Sequence, residues 1–211
     1  YAKAVAEAGA DVAIVDMDIE TAKETAAKLA AETGRKFIAI QCDVTDPESV
    51  NAMIDTFMAE FGHLDAAFCN AGICNNVPAE EMTYECWKKV IDVNLMGTVI
   101  MSKAVVPYMM AQKSGRIVHS SSVSAVVGNF GQTNYAASKA AIMSFPRSLG
   151  RELGKITVGG GSDGNFTSTW GIPTLDGLGP VGDGAHAAKE HLMIAQSLEH
   201  TAVLANLLTK L

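Results

Sequence analysis

A tyrosine and a lysine lie four residues apart in the stretch TNYAASKAAIMSF, which runs from Thr133 to Phe145. In a helix, residues at this spacing lie on the same face, so the side chains of Tyr135 and Lys139 would be neighbours. A lysine ammonium beside a phenol stabilises the phenolate, which suits the phenol for proton transfer. Amphipathic helices use the same spacing, so the pair alone leaves both a catalytic site and a helix face open.

The elements that must position this pair alternate between short apolar runs and amphipathic runs. The apolar runs DVAIVD, KFIAIQCDV, LDAAFCNAG and GRIVHSSS predict strands. Helical periodicity covers residues 1–9, 20–32, 46–61, 80–112 and 133–153, with Gly9, Gly34 and Asp46 as the expected helix boundaries. Strands that alternate with helices of this length need crossover connections, which favours parallel pairing. The sequence therefore predicts an α/β fold with a doubly wound parallel sheet.

Polar residues follow three of the predicted strands. Asp16 ends DVAIVD, Asp43 follows the second strand in CDVTD, and Asn70, Ala71 and Gly72 follow the third in CNAG. In open parallel sheets, ligands bind outside the carboxyl ends of the strands. An acid at the end of such a strand accepts hydrogen bonds from ribose hydroxyls and repels a 2′-phosphate, which favours NAD over NADP. Each of these residues alone could also be a solvated strand end or an ordinary turn.

Taken together and in order, these motifs resemble the short-chain dehydrogenase/reductase family over residues 1–156. The motifs are Asn70-Ala71-Gly72, DVNLMG around Asn94, Ser122, and Tyr135 followed four residues later by Lys139. The resemblance implies a Rossmann-like domain with an NAD(P)(H)-dependent oxidoreductase activity, in which a secondary alcohol and its ketone are interconverted. It further implies a small polar substrate, such as a sugar alcohol, flanked by residues 72–76 and by the region after Ser122.

The resemblance also implies a role for each matching residue. Tyr135 would be the general acid in reduction and the general base in oxidation, and Lys139 would also bind the nicotinamide ribose. Ser122 would hydrogen-bond the substrate oxygen, and Asn94 would hold a water that relays protons from Lys139. Asp43 would contact the adenine region. The residues implied at the cofactor are Asp16, Asp43, Val44, Asn70, Ala71, Gly72, Tyr135 and Lys139.

The chain also departs from the family pattern. The glycine-rich phosphate loop and the first strand are expected just ahead of Tyr1, so the domain reads as truncated at its N-terminus. Pro146 lacks an N–H and is expected to bend or break the helix predicted at 133–153. His119 stands where the family commonly has a small polar residue, and no role is assigned to it. The family's next strand does not follow GKITV.

The composition of the chain changes near residue 157. The run GGGSDGNFTSTWGIPTLDGLGPVGDGAHAAKEHL resembles the C-terminal part of zinc-dependent metallopeptidases of the aminoacylase and carboxypeptidase type, over about residues 159–211. That resemblance makes His186 a metal ligand, but a catalytic zinc needs about three protein ligands and the others have no counterpart. We therefore expect no functional metal site. The predicted organisation is an incomplete oxidoreductase domain at 1–156, then a segment at 157–211 with a helix from about Glu190 to Lys210.

Composition limits the remaining function classes. The chain is 48% hydrophobic and 18% charged, which is typical of a globular protein, and its net charge of −7 argues against a nucleic-acid partner. Its four cysteines form no CxxC pair, which favours small buried thiols in a reducing cytoplasm. No signal peptide is evident at Tyr1, and no apolar run is expected to reach membrane-spanning length.

Three hypotheses follow. The first is an NAD-dependent enzyme that acts on a small alcohol or ketone, without a nucleic-acid or membrane partner. It would be a homo-oligomer, a dimer or tetramer, with helices 80–112 and 133–153 as interface candidates. The second is a catalytically silent chimera or composite of two α/β families, and the third is a zinc-dependent hydrolase.

Overall fold

A computed structural model describes residues 1–152, 174–176, 182–183 and 191–192 of the chain. The described residues fall into two compact units, one of which contains Tyr1–Cys42 while the other begins at Asp43. Each unit is described by itself. The boundary predicted near residue 157 stays a prediction, because it lies outside the described residues.

The first unit is a β-α-β crossover preceded by a short helix. Its elements are α1 (Ala2–Glu7), β1 (Val12–Asp16), α2 (Ile19–Thr33) and β2 (Phe37–Gln41). The two strands pair in parallel, from Val12 with Phe37 to Asp16 with Gln41. The side chain of Asp18 caps α2 by accepting hydrogen bonds from the amides of Glu20 and Thr21, and Gly34 ends it with a φ of 68°.

The second unit contains the longer helices and a three-stranded parallel sheet with the order β3-β4-β5. A π-helical turn at Asp92–Met96 joins α4 to α5. The elements are α3 (Pro47–Phe61), β3 (Ala66–Cys69), α4 (Tyr84–Ile91), α5 (Gly97–Gln112), β4 (Arg116–His119), α6 (Ser124–Val127), α7 (Thr133–Glu152) and β5 (Thr174–Asp176).

The core of this unit forms where α5 and α7 bring apolar side chains to β4. Ile117 and Val118 of β4 are buried, as are Met109 of α5 and Ile142 of α7. Gly115 lets the chain enter β4 under α5, because a Cβ at this position would lie 2.4 Å from the Cγ of Met109. The carboxyl end of the strand is therefore held from both sides.

The structure confirms the predicted α/β class, the parallel pairing and the five helical regions, and it corrects several details. The region 80–112 is two α-helices joined by the π turn, and α6 was not predicted. Pro146 does not break α7, which continues to Glu152. Packing on both sides of the proline explains this, since Ile142, Pro146 and Gly150, which recur every four residues along α7, are all buried.

The structure describes only short segments of the C-terminal part, so it tests the expectations about that part only there. His191–Leu192 forms β7, which pairs antiparallel with β6 at Gly182–Asp183. The predicted helix from about Glu190 is therefore wrong at its start. The rest of that helix, His186 and most of the glycine-rich run around it lie outside the described residues.

The helical stretch Tyr84–Gln112 is long and apolar enough, by length and composition alone, to cross a membrane. The expectation that no run would reach that length is therefore wrong as a statement about length. The finding is weak evidence for a membrane segment, because a core helix of a soluble protein meets the same criterion. Within this stretch the side chains of Asn94, Ser102, Val105 and Met109 are buried inside the protein.

All four cysteines are free thiols. Cys42 and Cys69 are buried as expected, whereas Cys86 is half-buried and Cys74 is exposed in the loop after β3. The prediction of small buried thiols is therefore right for two of the four and wrong for Cys74.

Candidate active site

Tyr135 and Lys139 lie on one face of the first turns of α7. Lys139 is only 5% exposed, and its Nζ lies 5.7 Å from the centroid of the half-buried Tyr135 ring. The ammonium donates a hydrogen bond of 2.6 Å to the backbone carbonyl of Ser120. A lysine this deeply buried needs such partners, because desolvation penalises its charge. The helix therefore carries a cation that is fixed beside a phenol.

The three serines after β4 each have a different partner. The hydroxyl of Ser120 donates to Oδ1 of Asn70 at 2.8 Å, and the hydroxyl of Ser121 donates to the backbone carbonyl of Lys139 at 3.0 Å. Oγ of Ser122 accepts a hydrogen bond from the amide of Ser124 at 3.2 Å, which leaves the hydroxyl hydrogen of Ser122 to be donated. The run therefore joins the end of β3 to α7.

Asn94 is fully buried in the π turn and clamps the loop after β3. Its Oδ1 accepts from the amide of Ile73 at 2.8 Å, while Nδ2 donates to the carbonyl of Ile73 and to Oγ of Ser138. A Cβ at Gly72 would lie 3.3 Å from Oδ1 of Asn94 and 3.5 Å from Nζ of Lys139. The glycine therefore keeps open a space bounded by Asn94 and Lys139. The water relay through Asn94 stays a prediction.

Asp43 and Val44 lie in the turn after β2. Oδ1 of Asp43 accepts hydrogen bonds from the hydroxyl and the amide of Thr45, and these bonds lower the pKa of the Asp43 carboxyl. Gly97 allows a close approach to Val44, because a Cβ on Gly97 would lie 2.7 Å from a methyl carbon of Val44. This turn is therefore seated against the start of α5.

Asp16 ends β1 in the first unit, with an exposed side chain. Its Oδ1 accepts a hydrogen bond of 3.0 Å from the amide of Asp18 at the start of α2. The carboxylate is thus at the carboxyl end of a parallel strand, as the sequence predicts.

Within the second unit, direct contacts connect most of the predicted site residues. Asn70 is linked to Ser120, Ser120 to Lys139, and Lys139 to the Tyr135 ring, while Gly72 adjoins both Asn94 and Lys139. Ser122 joins this set through the serine run. Such an arrangement can hold a phenol and a cation where charge changes on an oxygen, which is the requirement for acid–base catalysis.

Sequence reasoning missed several residues that hold the site in place. Ser120, Ser121 and Ser138 each hydrogen-bond a predicted site residue, and Gln132 lies three residues ahead of Tyr135. The signal for the serines was the unbroken run SSS at the end of a strand. Nothing local distinguishes Gln132, because its partners come from two other loops.

A second polar cluster lies beneath the strand ends, at His119, Ser102 and Cys69. The hydroxyl of Ser102 donates to the carbonyl of Thr98, so Nε2 of His119, 2.9 Å away, must be the donor to Oγ of Ser102. Nδ1 of His119 then carries a buried lone pair that has no hydrogen-bond partner among the described residues. Burial lowers the pKa of His119 to about 4 and raises the pKa of Cys69 to about 12, the latter opposed in part by Ser102.

Among the described residues, no group of three or more His, Cys, Asp or Glu side chains is arranged to hold a metal ion. His186, the one metal ligand suggested by the sequence, lies outside those residues.

Comparison with known proteins identifies the family to which the chain is similar. The model of the short chain dehydrogenases matches residues 1–167, which extends past the change of composition near residue 157. The chain is 38% identical over 157 residues to the 3-oxoacyl-(acyl-carrier-protein) reductase FabG of Chlamydia muridarum, covering 74% of this chain and 63% of that protein. It is 37% identical over 169 residues to the protein of the same name from Staphylococcus aureus, covering 78% of this chain and 68% of that protein.

Among solved structures, the chain is similar to NAD+-bound xylitol dehydrogenase, with a TM-score of 0.70 and 27% identity over 81% of this chain and 61% of that one. The chain spans only 63% and 62% of the relatives from Chlamydia muridarum and Synechocystis. These matches give no support to the metallopeptidase resemblance of residues 159–211. Motifs, parallel sheet and family match agree, and the chain belongs to the short chain dehydrogenase family.

Proposed function

We propose that this protein is a nicotinamide-dependent oxidoreductase that interconverts a secondary alcohol and its ketone. The observation that carries the proposal is the buried ammonium of Lys139, held by the Ser120 carbonyl beside the ring of Tyr135. Burying a lysine side chain in this way is costly, so a buried ammonium that is held beside a phenol indicates a functional site.

In the reducing direction, Tyr135 donates its phenol proton to the substrate oxygen as the carbonyl π bond breaks and a C–H bond forms at the carbon. The positive charge of Lys139 stabilises the phenolate that remains. Ser122 donates its hydroxyl hydrogen to the same substrate oxygen and so fixes the carbonyl. In the oxidising direction the Tyr135 phenolate takes the proton from the alcohol oxygen, while Ser122 keeps its own proton and only hydrogen-bonds that oxygen. The nicotinamide group, when bound, supplies the hydride for reduction and accepts it in oxidation.

The residues present fit a nicotinamide cofactor. Gly72 leaves free the space that a Cβ would fill between Asn94 and Lys139, and Asn70 follows β3 at the carboxyl edge of the sheet. We propose that the nicotinamide half of the cofactor is bound by Asn70, Ala71, Gly72, Tyr135 and Lys139. The adenine half of the cofactor would be bound by Asp43 and Val44.

We also propose that the cofactor is NAD rather than NADP, on account of Asp16. Its exposed carboxylate at the end of β1 would accept hydrogen bonds from ribose hydroxyls and repel a 2′-phosphate. The named solved relative binds NAD+, which supports this choice.

Two substrate classes are supported by different observations. The exposed polar loop residues Asn75 and Asn76 and the xylitol dehydrogenase relative favour a polyol or keto sugar. The segment after Ser122 exposes apolar side chains instead, including Val127 and Phe130, the latter 88% exposed. Together with the 3-oxoacyl reductase relatives, this segment favours a 3-oxoacyl thioester. We propose the polyol class first, following the polar loop.

The test is oxidation of NADH by a keto sugar and by an acetoacetyl thioester, with the variant Tyr135→Phe in parallel. Tyr108→Phe is the matched control, because Tyr108 is half-buried like Tyr135 and its hydroxyl lies 3.5 Å from Asp55, outside the proposed site. We expect turnover with one substrate class, lost in Tyr135→Phe and kept in Tyr108→Phe. Absence of turnover with every ketone, or equal activity in the two variants, would refute the proposed function.

The silent-chimera alternative predicts a cooperative thermal melt without any heat of NAD binding. The zinc-hydrolase alternative predicts metal at near unit stoichiometry that is lost in His186→Ala. We further propose a homo-oligomer in a reducing cytoplasm, because the family match and the free thiols are compatible with both.

A further inference from the structure

Gln132 is a buried side chain that makes hydrogen bonds to two separate loops. It lies three residues ahead of Tyr135 and is only 1% exposed. Its backbone carbonyl accepts a hydrogen bond of 2.7 Å from the backbone amide of Ala136 in the first turn of α7. Gln132 and Tyr135 are therefore fixed relative to each other by the helix itself.

Both the nitrogen and the oxygen of the Gln132 side-chain amide form hydrogen bonds. Nε2 donates to Oδ1 of Asn76 at 2.9 Å, and Oε1 accepts from the hydroxyl of Ser124 at 3.0 Å. Asn129 adds a hydrogen bond of 2.9 Å from its Nδ2 to the same serine oxygen. The loop after β3 and the start of α6 are thus both tied to the base of α7.

Ser124 passes this restraint on to Ser122. Its backbone amide donates to Oγ of Ser122 at 3.2 Å, while its own hydroxyl is held by Gln132. A backbone bond of 2.9 Å from the amide of Val77 to the carbonyl of Gly131 closes the same loops from the other side. The buried Gln132 amide is therefore the side chain that links Ser124, and through it the Ser122 hydroxyl, to the start of the Tyr135 helix, beside the bond from Ser121 to the Lys139 carbonyl.

We propose that Gln132 is a positioning residue, which sets the hydroxyl of Ser122 relative to the phenol of Tyr135 through Ser124. The inference rests on the proposed function, since it concerns the two groups that would share the substrate oxygen. Misplacing one of two cooperating groups by about 1 Å costs on the order of 10²-fold in rate. The binding of NADH uses other residues and is not affected.

The experiment compares Gln132→Met with Gln112→Met. Gln112 is a matched control because it also bridges two segments with both ends of its amide, accepting from the amide of Leu64 and donating to its carbonyl, each at 3.0 Å. Its partner Leu64 precedes β3, whereas the proposed site follows it. Methionine preserves much of the volume of glutamine and removes the hydrogen bonds. Gln132→Glu keeps the acceptor for Ser124 and loses the donor to Asn76.

Three quantities are measured for each variant: kcat per NADH-binding site, KM for the ketone, and the melting temperature. We expect both methionine variants to lose thermal stability, but only Gln132→Met to lose about 10- to 100-fold in kcat with a similar number of NADH sites. Gln132→Glu should fall in between. If kcat per site in Gln132→Met stays within about twofold of the unsubstituted protein, or if Gln112→Met loses as much, the inference is wrong.

Amide hydrogen exchange separates this inference from the proposed function. We expect faster exchange at Ser124 and in the first turn of α7 in Gln132→Met, and no change there in Gln112→Met. If the unsubstituted protein shows no turnover, the proposed function has failed. Unchanged exchange at Ser124 in Gln132→Met would then overturn the positioning role by itself.

Discussion

The serine run Ser120–Ser122 begins directly after His119, yet it differs in several physical respects from the cluster that His119 forms with Ser102 and Cys69. The serines follow the end of β4, are half-buried, and each hydrogen-bonds a different part of the proposed site. The cluster lies on β3, β4 and α5, is buried, and contains a ring nitrogen without a hydrogen-bond partner among the described residues. The polar residues that follow the end of β4 can therefore take part in chemistry, whereas His119, the last residue of the strand, has a structural role.

The largest expected effect is on kcat and comes from Lys139, whose ammonium donates a hydrogen bond to the backbone carbonyl of Ser120. Lys139→Met removes the cation beside Tyr135 and should lower kcat by about 10²- to 10⁴-fold, the usual range for loss of assisted proton transfer. The measurement is NADH oxidation by the ketone that the unsubstituted protein reduces. Lys103→Met, on α5, is the control and should retain activity. Equal kcat in the two variants would place the chemistry elsewhere.

On the other side of the comparison, His119 should make folding sensitive to acid. Its pKa is about 4 in the folded protein, below the ordinary value of 6.5, so the unfolded chain takes up a proton first as the pH falls. Its contribution to stability is complete above pH about 6.5, decreases as the pH falls toward about 4, and then levels off, with a total loss of about 3 kcal/mol.

Urea unfolding of the protein and of His119→Asn, across this pH range, measures that contribution. The difference between the two unfolding free energies should shrink as the pH falls, because asparagine does not titrate. A difference that is constant with pH would show that the His119 pKa is not lowered in the folded state.

A smaller effect is expected for Ser120, which links Asn70 to the lysine. Ser120→Ala removes the hydrogen bond to Asn70 but keeps the backbone carbonyl that holds Lys139. We expect NADH affinity to fall about 3- to 10-fold, as for the loss of one hydrogen bond, with kcat changed less. Ser120→Thr keeps a hydroxyl and should restore binding. Fluorescence titration with NADH measures both variants, and unchanged affinity in Ser120→Ala would remove Ser120 from the cofactor site.

The smallest effect concerns two thiols, Cys69 at the end of β3 and Cys74 in the loop that follows it. Burial raises the pKa of Cys69 to about 12, whereas Cys74 is exposed, although burial raises its pKa as well. A thiol reagent should therefore modify Cys74 in the folded protein and reach Cys69 only after denaturation. Mass spectrometry of the labelled peptides gives the order of reaction, and early labelling of Cys69 would show that the cluster opens in the native state.

The sequence was sufficient for features that depend on local chemistry. Apolar and amphipathic runs bounded by caps gave β1, α2 and α3, with Asp46 as the predicted and observed N-cap of α3. The spacing of Tyr135 and Lys139 correctly placed them on one face, although their catalytic roles stay a prediction. Motif order was enough for the family, because the spacing of several weak signals is specific when they occur together.

Features that depend on distant partners were not predictable in the same way. The π turn around Asn94 is stabilised by Ile73 and Ser138, which lie elsewhere in the chain. Gln132 has no distinctive neighbours in sequence, so only the folded loops show what it binds. At Pro146 a correct local rule gave a wrong result, because tertiary packing of α7 outweighs one missing backbone hydrogen bond.

The π turn at Asp92–Met96 also has a consequence for how this chain can vary in length. Each residue of a helix advances the direction of its side chains by about 100°. Deleting one residue here would restore regular α-helical winding and rotate α5 relative to α4 by that angle. Either Asn94 would leave its clamp on Ile73, or Ser102 and Met109 would leave the core. Insertions and deletions should therefore be far better tolerated in the loop at 62–65 than anywhere between residues 84 and 112.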